Sequence, residues 1–157
     1  MSAQRTSTGA PGPDGGGSRL VDLERSTCLA LLGGVDVGRL GVVDDDGSPV
    51  VLPVSYALVV AAGDVAVAVR TRPGNVLDRP GRPACLEIDG VDPGHDSGWS
   101  VLVRGLLRPI EPGTSIDPHP LLDERRDAWL LLEPTAITGR RLIAPELRWT
   151  FHPAGYA

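Results

Sequence analysis

The sequence predicts a mainly β fold, an antiparallel barrel or sandwich with one or two helices, and three observations carry that expectation. Short runs rich in Val, Leu and Ile recur at regular spacing between residues 37 and 143. Clusters of Gly, Asp, Ser and Pro punctuate them, as at Gly47-Ser48-Pro49 and Gly63-Asp64, the chemistry that tight turns between strands require. The 157 residues, 41% of them apolar, suffice for one hydrophobic core, which fits a single domain.

The elements follow in order. Residues 1–19 are rich in Gly, Ser, Pro and Thr and are expected to form a disordered tail, leaving 20–157 as the folded domain. Leu23, Cys28, Leu31 and Leu32 fall on one helical stripe, predicting a helix over Asp22–Leu32. Asp22 or Ser26 is its expected cap, and Gly33-Gly34 its end. Val37–Asp44 is the first strand, followed by an acidic turn over Asp44–Ser48. Pro49–Val60 is the second. Pro53 inside it implies an edge, a bulge or a place where no backbone N–H is needed. Val65–Thr71 is the third, with Val65, Val67 and Val69 on one face and Ala66, Ala68 and Arg70 on the other. Pro73–Pro80 breaks the pattern, with a short helical turn over Asn75–Asp78. Ala84–Val91 is the fourth strand and Trp99–Ile110 the fifth. A proline-rich loop runs from Pro109 to Pro120, then a short helix over Leu121–Arg126. Ala128–Glu133 is the sixth strand, and Ala136–Ile143 continues its pairing.

Bulk properties exclude several function classes. A net charge of −5 argues against nucleic acid or an anionic membrane as a partner. All 15 basic residues are arginine, so no lysine is present to form a Schiff base or hold a phosphate. Cys28 and Cys85 lie far apart in apolar runs and read as small buried hydrophobes. Residues 1–19 contain no apolar leader stretch, so a cytoplasmic location is expected. The weakly charged stretch Ser48–Val69 is broken by Pro53 and Gly63-Asp64, which suits a hairpin better than a membrane span.

The chemistry-bearing residues are few. His95, His119 and His152 fall in predicted loops with no metal spacing among them. Asp44-Asp45-Asp46 lacks the ligand spacing of a calcium loop and reads as a solvated turn. Glu87 and Asp89 share a strand face and either meet water together or line a cleft. Arg70-Thr71-Arg72-Pro73-Gly74-Asn75 ends a strand in a guanidinium and a hydroxyl and then turns. Such a corner is an ordinary turn or an anion site, since turn amides, Arg and Thr all bind phosphate. Trp99, at a strand start, is a core anchor or a platform beside a flat ligand. Arg140-Arg141 is a surface pair unless a partner chain uses it to hold an anion.

Taken in order, these segments resemble the pyridoxamine 5′-phosphate oxidase-like family of flavin-binding split barrels. The series is a helix, Val37-Gly38-Arg39-Leu40-Gly41-Val42-Val43, Gly47-Ser48-Pro49, Pro53-Val54-Ser55-Tyr56 and Arg70-Thr71. It continues through Asp89-Gly90-Val91-Asp92, Gly98-Trp99-Ser100-Val101-Leu102-Val103-Arg104-Gly105 and Ile137-Thr138-Gly139-Arg140-Arg141. The resemblance covers roughly residues 20–143 and implies a six-stranded antiparallel split β-barrel. It also implies a homodimer with cofactor sites at the subunit interface. The implied cofactor is FMN or the deazaflavin coenzyme F-420; other members bind FAD, biliverdin or haem. Pro53, Val54 and Ser55 match the segment along the flavin ring. Arg70, Thr71 and, after them, Asn75 match the phosphate end, and Trp99 and Ser100 match the strand start beside the ring. The chemistry implied is flavin-dependent oxidation or reduction of a small organic substrate. The family pattern has Gly-Ser-Lys or Gly-Thr-Lys where this chain has Gly74-Asn75-Val76. Asn75 can still donate an amide hydrogen, but Val76 cannot meet a phosphate charge; Arg72 or Arg79 is the candidate substitute. The departure sustains an alternative, a non-catalytic split-barrel ligand-binding or sensor protein that has lost tight flavin binding.

Overall fold

The computed structural model describes residues 18–61, 63–78, 80–92, 94, 97–110 and 128–144. Eight elements follow one another: β1 (Arg19–Asp22), α1 (Arg25–Gly33), β2 (Val37–Val43), β3 (Pro49–Ala61), β4 (Asp64–Thr71), β5 (Pro83–Asp92), β6 (Ser97–Pro109) and β7 (Ala128–Ile143). The sheet order is β1-β7-β4-β3-β2-β5-β6, and β6 also pairs with β7. That last pairing closes β2–β7 into a six-stranded ring in which every contact is antiparallel. The expected six-stranded antiparallel barrel is therefore present, and closure removes the unpaired edges that an open sheet would carry.

Two long strands each serve two neighbours, and this splits the barrel. β3 pairs with β2 through Pro49–Ser55 and with β4 through Tyr56–Ala61. β7 pairs with β4 through Ala128–Leu132 and with β1 through Arg140–Ile143, while β6 runs along its other edge. Between those two partners α1 packs against β7, and the Leu23 amide donates to the Gly139 carbonyl at 2.9 Å. Pro53 sits where β3 has β2 on one side and has not yet met β4. Its missing N–H is therefore needed by no described strand.

The core fills the ring. Leu40, Val54, Val67, Val69, Leu86, Ile88, Val101, Val103, Leu107, Leu130 and Leu132 are all at most 2% exposed. Cys28 and Leu32 bring the helix stripe into the same cluster, and the Tyr56 hydroxyl donates to the Leu32 carbonyl at 2.7 Å.

Several expectations need correction. Residues 19–22 form a strand, because Asp22 pairs with Arg140 on β7. The helix therefore begins at Arg25, after a Glu24 N-cap that makes no side-chain capping bond, so neither Asp22 nor Ser26 caps it. The last two strand segments are one strand. A register shift opposite Arg104 and Gly105 lets β7 continue through Pro134 and Thr135. A Cβ on residue 105 would lie 2.7 Å from the Glu133 carbonyl carbon, closer still to its oxygen, so only glycine lets the two backbones meet there. Residues 1–17 of the expected 1–19 tail, the helix over 121–126, the loop beyond Ile110, Arg79, and His95, His119 and His152 lie outside the described residues, whereas Arg19, the last residue of that tail, is in β1.

Candidate functional site

The changeover on β3 builds a corner. Pro53, Val54 and Ser55 pair with Arg39, Gly38 and Val37 of β2, and Tyr56 then pairs with Val69 of β4. The β3–β4 ladder ends at that pair, and Arg70 and Thr71 continue β4 beyond it, paired with Trp129 and Ala128 of β7. Val54 and Ser55 are buried, and Pro53 is exposed. Arg70 pairs with Trp129 of β7, and its guanidinium carbon lies 5.3 Å from the Trp129 ring centre, within cation–π range. Thr71 points the other way, on the side of Val67 and Val69, and is 2% exposed. Its Oγ1 is buried and has no hydrogen-bond partner among the described residues. An unpaired buried hydroxyl is costly and calls for a reason.

The turn after Thr71 is internally bonded. Gly74 has a φ of +75°, a backbone state that suits glycine. The Asn75 amide donates to the Arg72 carbonyl at 3.1 Å, and the Asp78 amide to the Asn75 carbonyl at 2.8 Å. These two bonds close two successive tight turns, Arg72–Asn75 and Asn75–Asp78, and no helix forms where the sequence predicts a short helical turn over Asn75–Asp78. The Gly74 amide donates to Asp78 Oδ2 at 2.9 Å, and the Leu77 amide to Asn75 Oδ1 at 3.4 Å. Asn75 thus uses its side-chain oxygen within the turn, and Val76 packs against the core instead of facing outward as a cation would.

Trp99 and Ser100 belong to a different place. Trp99 pairs with Gly90 of β5 and Arg141 of β7. Its indole lies over Gly90, where a Cβ would sit 2.6 Å from the ring, so the glycine is the space the ring occupies. The ring packs against the core beside a pocket of about 170 Å³ lined by Asp92, Gly98 and Arg141. Ser100 lies on the opposite face, paired with Asp89 and Arg140. On that face Arg39 Nη1 donates to Glu87 Oε2 at 3.0 Å and to Asp89 Oδ1 at 2.5 Å. The hydrogen bond to Asp89, then its charge, then Glu87 raise the Arg39 pKa above its ordinary value.

The structure places Pro53, Val54 and Ser55 on β3 just before it meets β4, Arg70 and Thr71 at the end of β4, and Asn75 in the turn that follows. Trp99 and Ser100 lie on β6, which β2 and β5 separate from β3 and β7 separates from β4. Sequence reasoning missed a third feature. An open cleft of about 760 Å³ runs along the outer face, lined by Gly41, Val43, Val51, Cys85, Arg104 and Leu106 among others. Val43 and Val51 are 52% and 61% exposed. The signal was present in Val42-Val43 and Val50-Val51, which are apolar on both faces where a half-solvated strand alternates.

Among the described residues no group of His, Cys, Asp and Glu is arranged to hold a metal ion, and no helix is long and apolar enough to cross a membrane. The family profile described as pyridoxamine 5′-phosphate oxidase matches residues 24–141. An uncharacterized protein of Mycobacterium tuberculosis is 29% identical over 138 residues, covering 80% of this chain and 87% of its own. The structure of an FAD binding protein from Mycobacterium smegmatis is 26% identical, with a TM-score of 0.60 over 78% of this chain and 98% of that one. An FAD-binding protein from Mesorhizobium loti shares the fold at 20% identity, with a TM-score of 0.59 over 80% of this chain and 98% of its own.

Proposed function

Because the chain belongs to the pyridoxamine 5′-phosphate oxidase family, we propose that it is a flavin-dependent oxidoreductase acting on a small organic substrate, with FMN or coenzyme F-420 as cofactor. The observation that carries this reading is the buried Thr71 Oγ1, which has no partner among the described residues, at the end of β4 next to Arg70. A ligand with polar atoms there gives the hydroxyl the bond that folding leaves unmade, and Arg70 supplies positive charge to an electron-rich group. FAD binding by the 26% identical M. smegmatis protein supports a flavin as the ligand class. When bound, a flavin supplies hydride or electron transfer, and the protein contributes orientation and exclusion of water. This division of labour suits a chain without a nucleophile triad or a metal cluster in its sequence.

The reading includes a homodimer. A second copy over the outer cleft covers Val43, Val51 and Leu106, apolar groups that otherwise meet water. It also offers a way for Trp99 and Ser100 of one copy to approach the β3–β4 corner of the other. The test is the visible spectrum of the purified protein, followed by titration with FMN, FAD and coenzyme F-420. Binding of one of them below about 100 μM, roughly −5.5 kcal/mol, is expected. A colourless protein that binds none of them sinks the reading.

The turn favours a second reading. Its Gly74 amide is bonded to Asp78 and no lysine follows, so the residues at the turn do not fit a flavin 5′-phosphate. A non-catalytic ligand-binding or sensor protein is then the alternative. A folded protein that binds none of the three flavins below about 100 μM supports that alternative, which has lost tight flavin binding.

A further inference from the structure

We propose that Asp78 is a built-in anion that fills the amide of the β4–β5 turn and makes this chain discriminate against a ligand phosphate there. Its ligand class is then a flavin held by the ring and sugar-alcohol chain, with its phosphate unrecognised at this turn. The identity of the ligand rests on the flavin reading above; the role of Asp78 in the turn does not.

The argument starts from the amides. Turn amides next to a residue of positive φ make concave sites for anions, and Gly74, with φ +75°, is that residue. Its N–H already donates to the Asp78 carboxylate at 2.9 Å. Three neighbouring amides are also committed: Asn75 to the Arg72 carbonyl, Leu77 to Asn75 Oδ1 and Asp78 to the Asn75 carbonyl. The carboxylate is tethered four residues from the amide it occupies, so an incoming phosphate competes with an intramolecular partner. It also meets that partner's negative charge, for which the half-buried Val76 offers no compensation. Phosphate therefore gains little here that the turn does not already have.

The experiment compares FMN with riboflavin, which lacks the phosphate, by quenching of flavin fluorescence on the full-length protein. The wild-type chain is expected to bind the two within about threefold of each other. Asp78→Ala frees the amide and removes the charge, and is expected to raise the preference for FMN by about tenfold or more, ~1.4 kcal/mol. Asp78→Asn removes the charge but keeps an acceptor, and is expected to fall between. A wild-type preference for FMN of tenfold or more overturns the proposal, and so does an Asp78→Ala preference equal to that of wild type. If neither flavin binds, the flavin reading fails on its own. The amide resonance of Gly74, titrated with inorganic phosphate, then decides the role of Asp78. It is expected to stay still in wild type and to move in Asp78→Ala. Equal movement in both overturns the proposal, as does no movement in either.

Discussion

Replacing Thr71 by Val separates what folding needs from what a ligand needs. The two side chains have nearly the same shape, and Thr71 is 2% exposed with an unpaired Oγ1. Leaving a buried hydroxyl unpaired costs about 1–3 kcal/mol. Exchanging it for a methyl group in the same space removes that penalty and adds apolar burial worth up to about 0.8 kcal/mol. Thr71→Val is therefore expected to stabilise the protein without added flavin by about 1–3 kcal/mol, near the upper limit of what one core substitution contributes. For a domain of this size that is a rise in Tm of roughly 3–10 °C. Urea unfolding followed by tryptophan fluorescence measures it, with an unchanged m value as the check that both states are comparable. The same variant is expected to bind flavin about five- to tenfold more weakly, the worth of one hydrogen bond of about 1–1.5 kcal/mol. A variant less stable than wild type refutes the assignment of an unpaired hydroxyl. A stabilised variant with undiminished affinity leaves the hydroxyl real but removes it from the binding site.

Other expected outcomes test the frame around the corner. Gly105→Ala forces a methyl group against the Glu133 carbonyl, a backbone atom that cannot swing aside; a loss of about 3 kcal/mol or more is expected in thermal unfolding. Burial first, and the charge of Asp36 second, push the Tyr56 phenol up to about 12. Its unfolded value is about 10. The folded state therefore keeps its proton longer, so stability is level below pH ~10 and falls by roughly 2–3 kcal/mol as pH rises to ~12. Tyr56→Phe is expected to flatten that fall in urea titrations while losing about 1 kcal/mol at neutral pH, with the bond to the Leu32 carbonyl gone. Val51→Asp places a charge in the outer cleft; size-exclusion chromatography is expected to show a shift from dimer to monomer with the circular dichroism of wild type, and an unshifted dimer places the interface elsewhere.

The barrel was largely readable because its signals are local. Alternation over Val65–Thr71 and the Gly63-Asp64 turn mark a hairpin without reference to any distant residue, and β3 and β4 form it. What escaped depends on partners far along the chain. Asp22 looks like a helix cap until Arg140 is known to lie beside it. Pro134 and Thr135 look like the end of a strand. They become a bulge only because Gly105 is bare enough to approach Glu133 and because the Thr135 hydroxyl donates to the Arg104 carbonyl at 3.1 Å. Arg70 and Thr71 stand out in the sequence by residue type, and the structure sets them at the end of β4. The use of Asp78 was not, since a carboxylate four residues after a glycine carries no sign of folding back onto its amide.

The outer face joins the two halves of the expected site through its distribution of charge. Its cleft is apolar at Val43, Val51 and Leu106, whereas Arg39, Glu87 and Asp89 form an ion cluster in the rows nearer Pro53 and Ser100. Burying that cluster fully would strip three charges of water, a penalty that their mutual attraction repays only with ideal geometry. A second copy is therefore expected to press on the apolar end and leave the ion cluster toward the rim, the common division of a protein interface. In that arrangement the charged rows stay wet between the β3–β4 corner of one copy and the Ser100 strand of the other. Arg39 is already held by two carboxylates and so is fixed in place instead of free to reach for an anion.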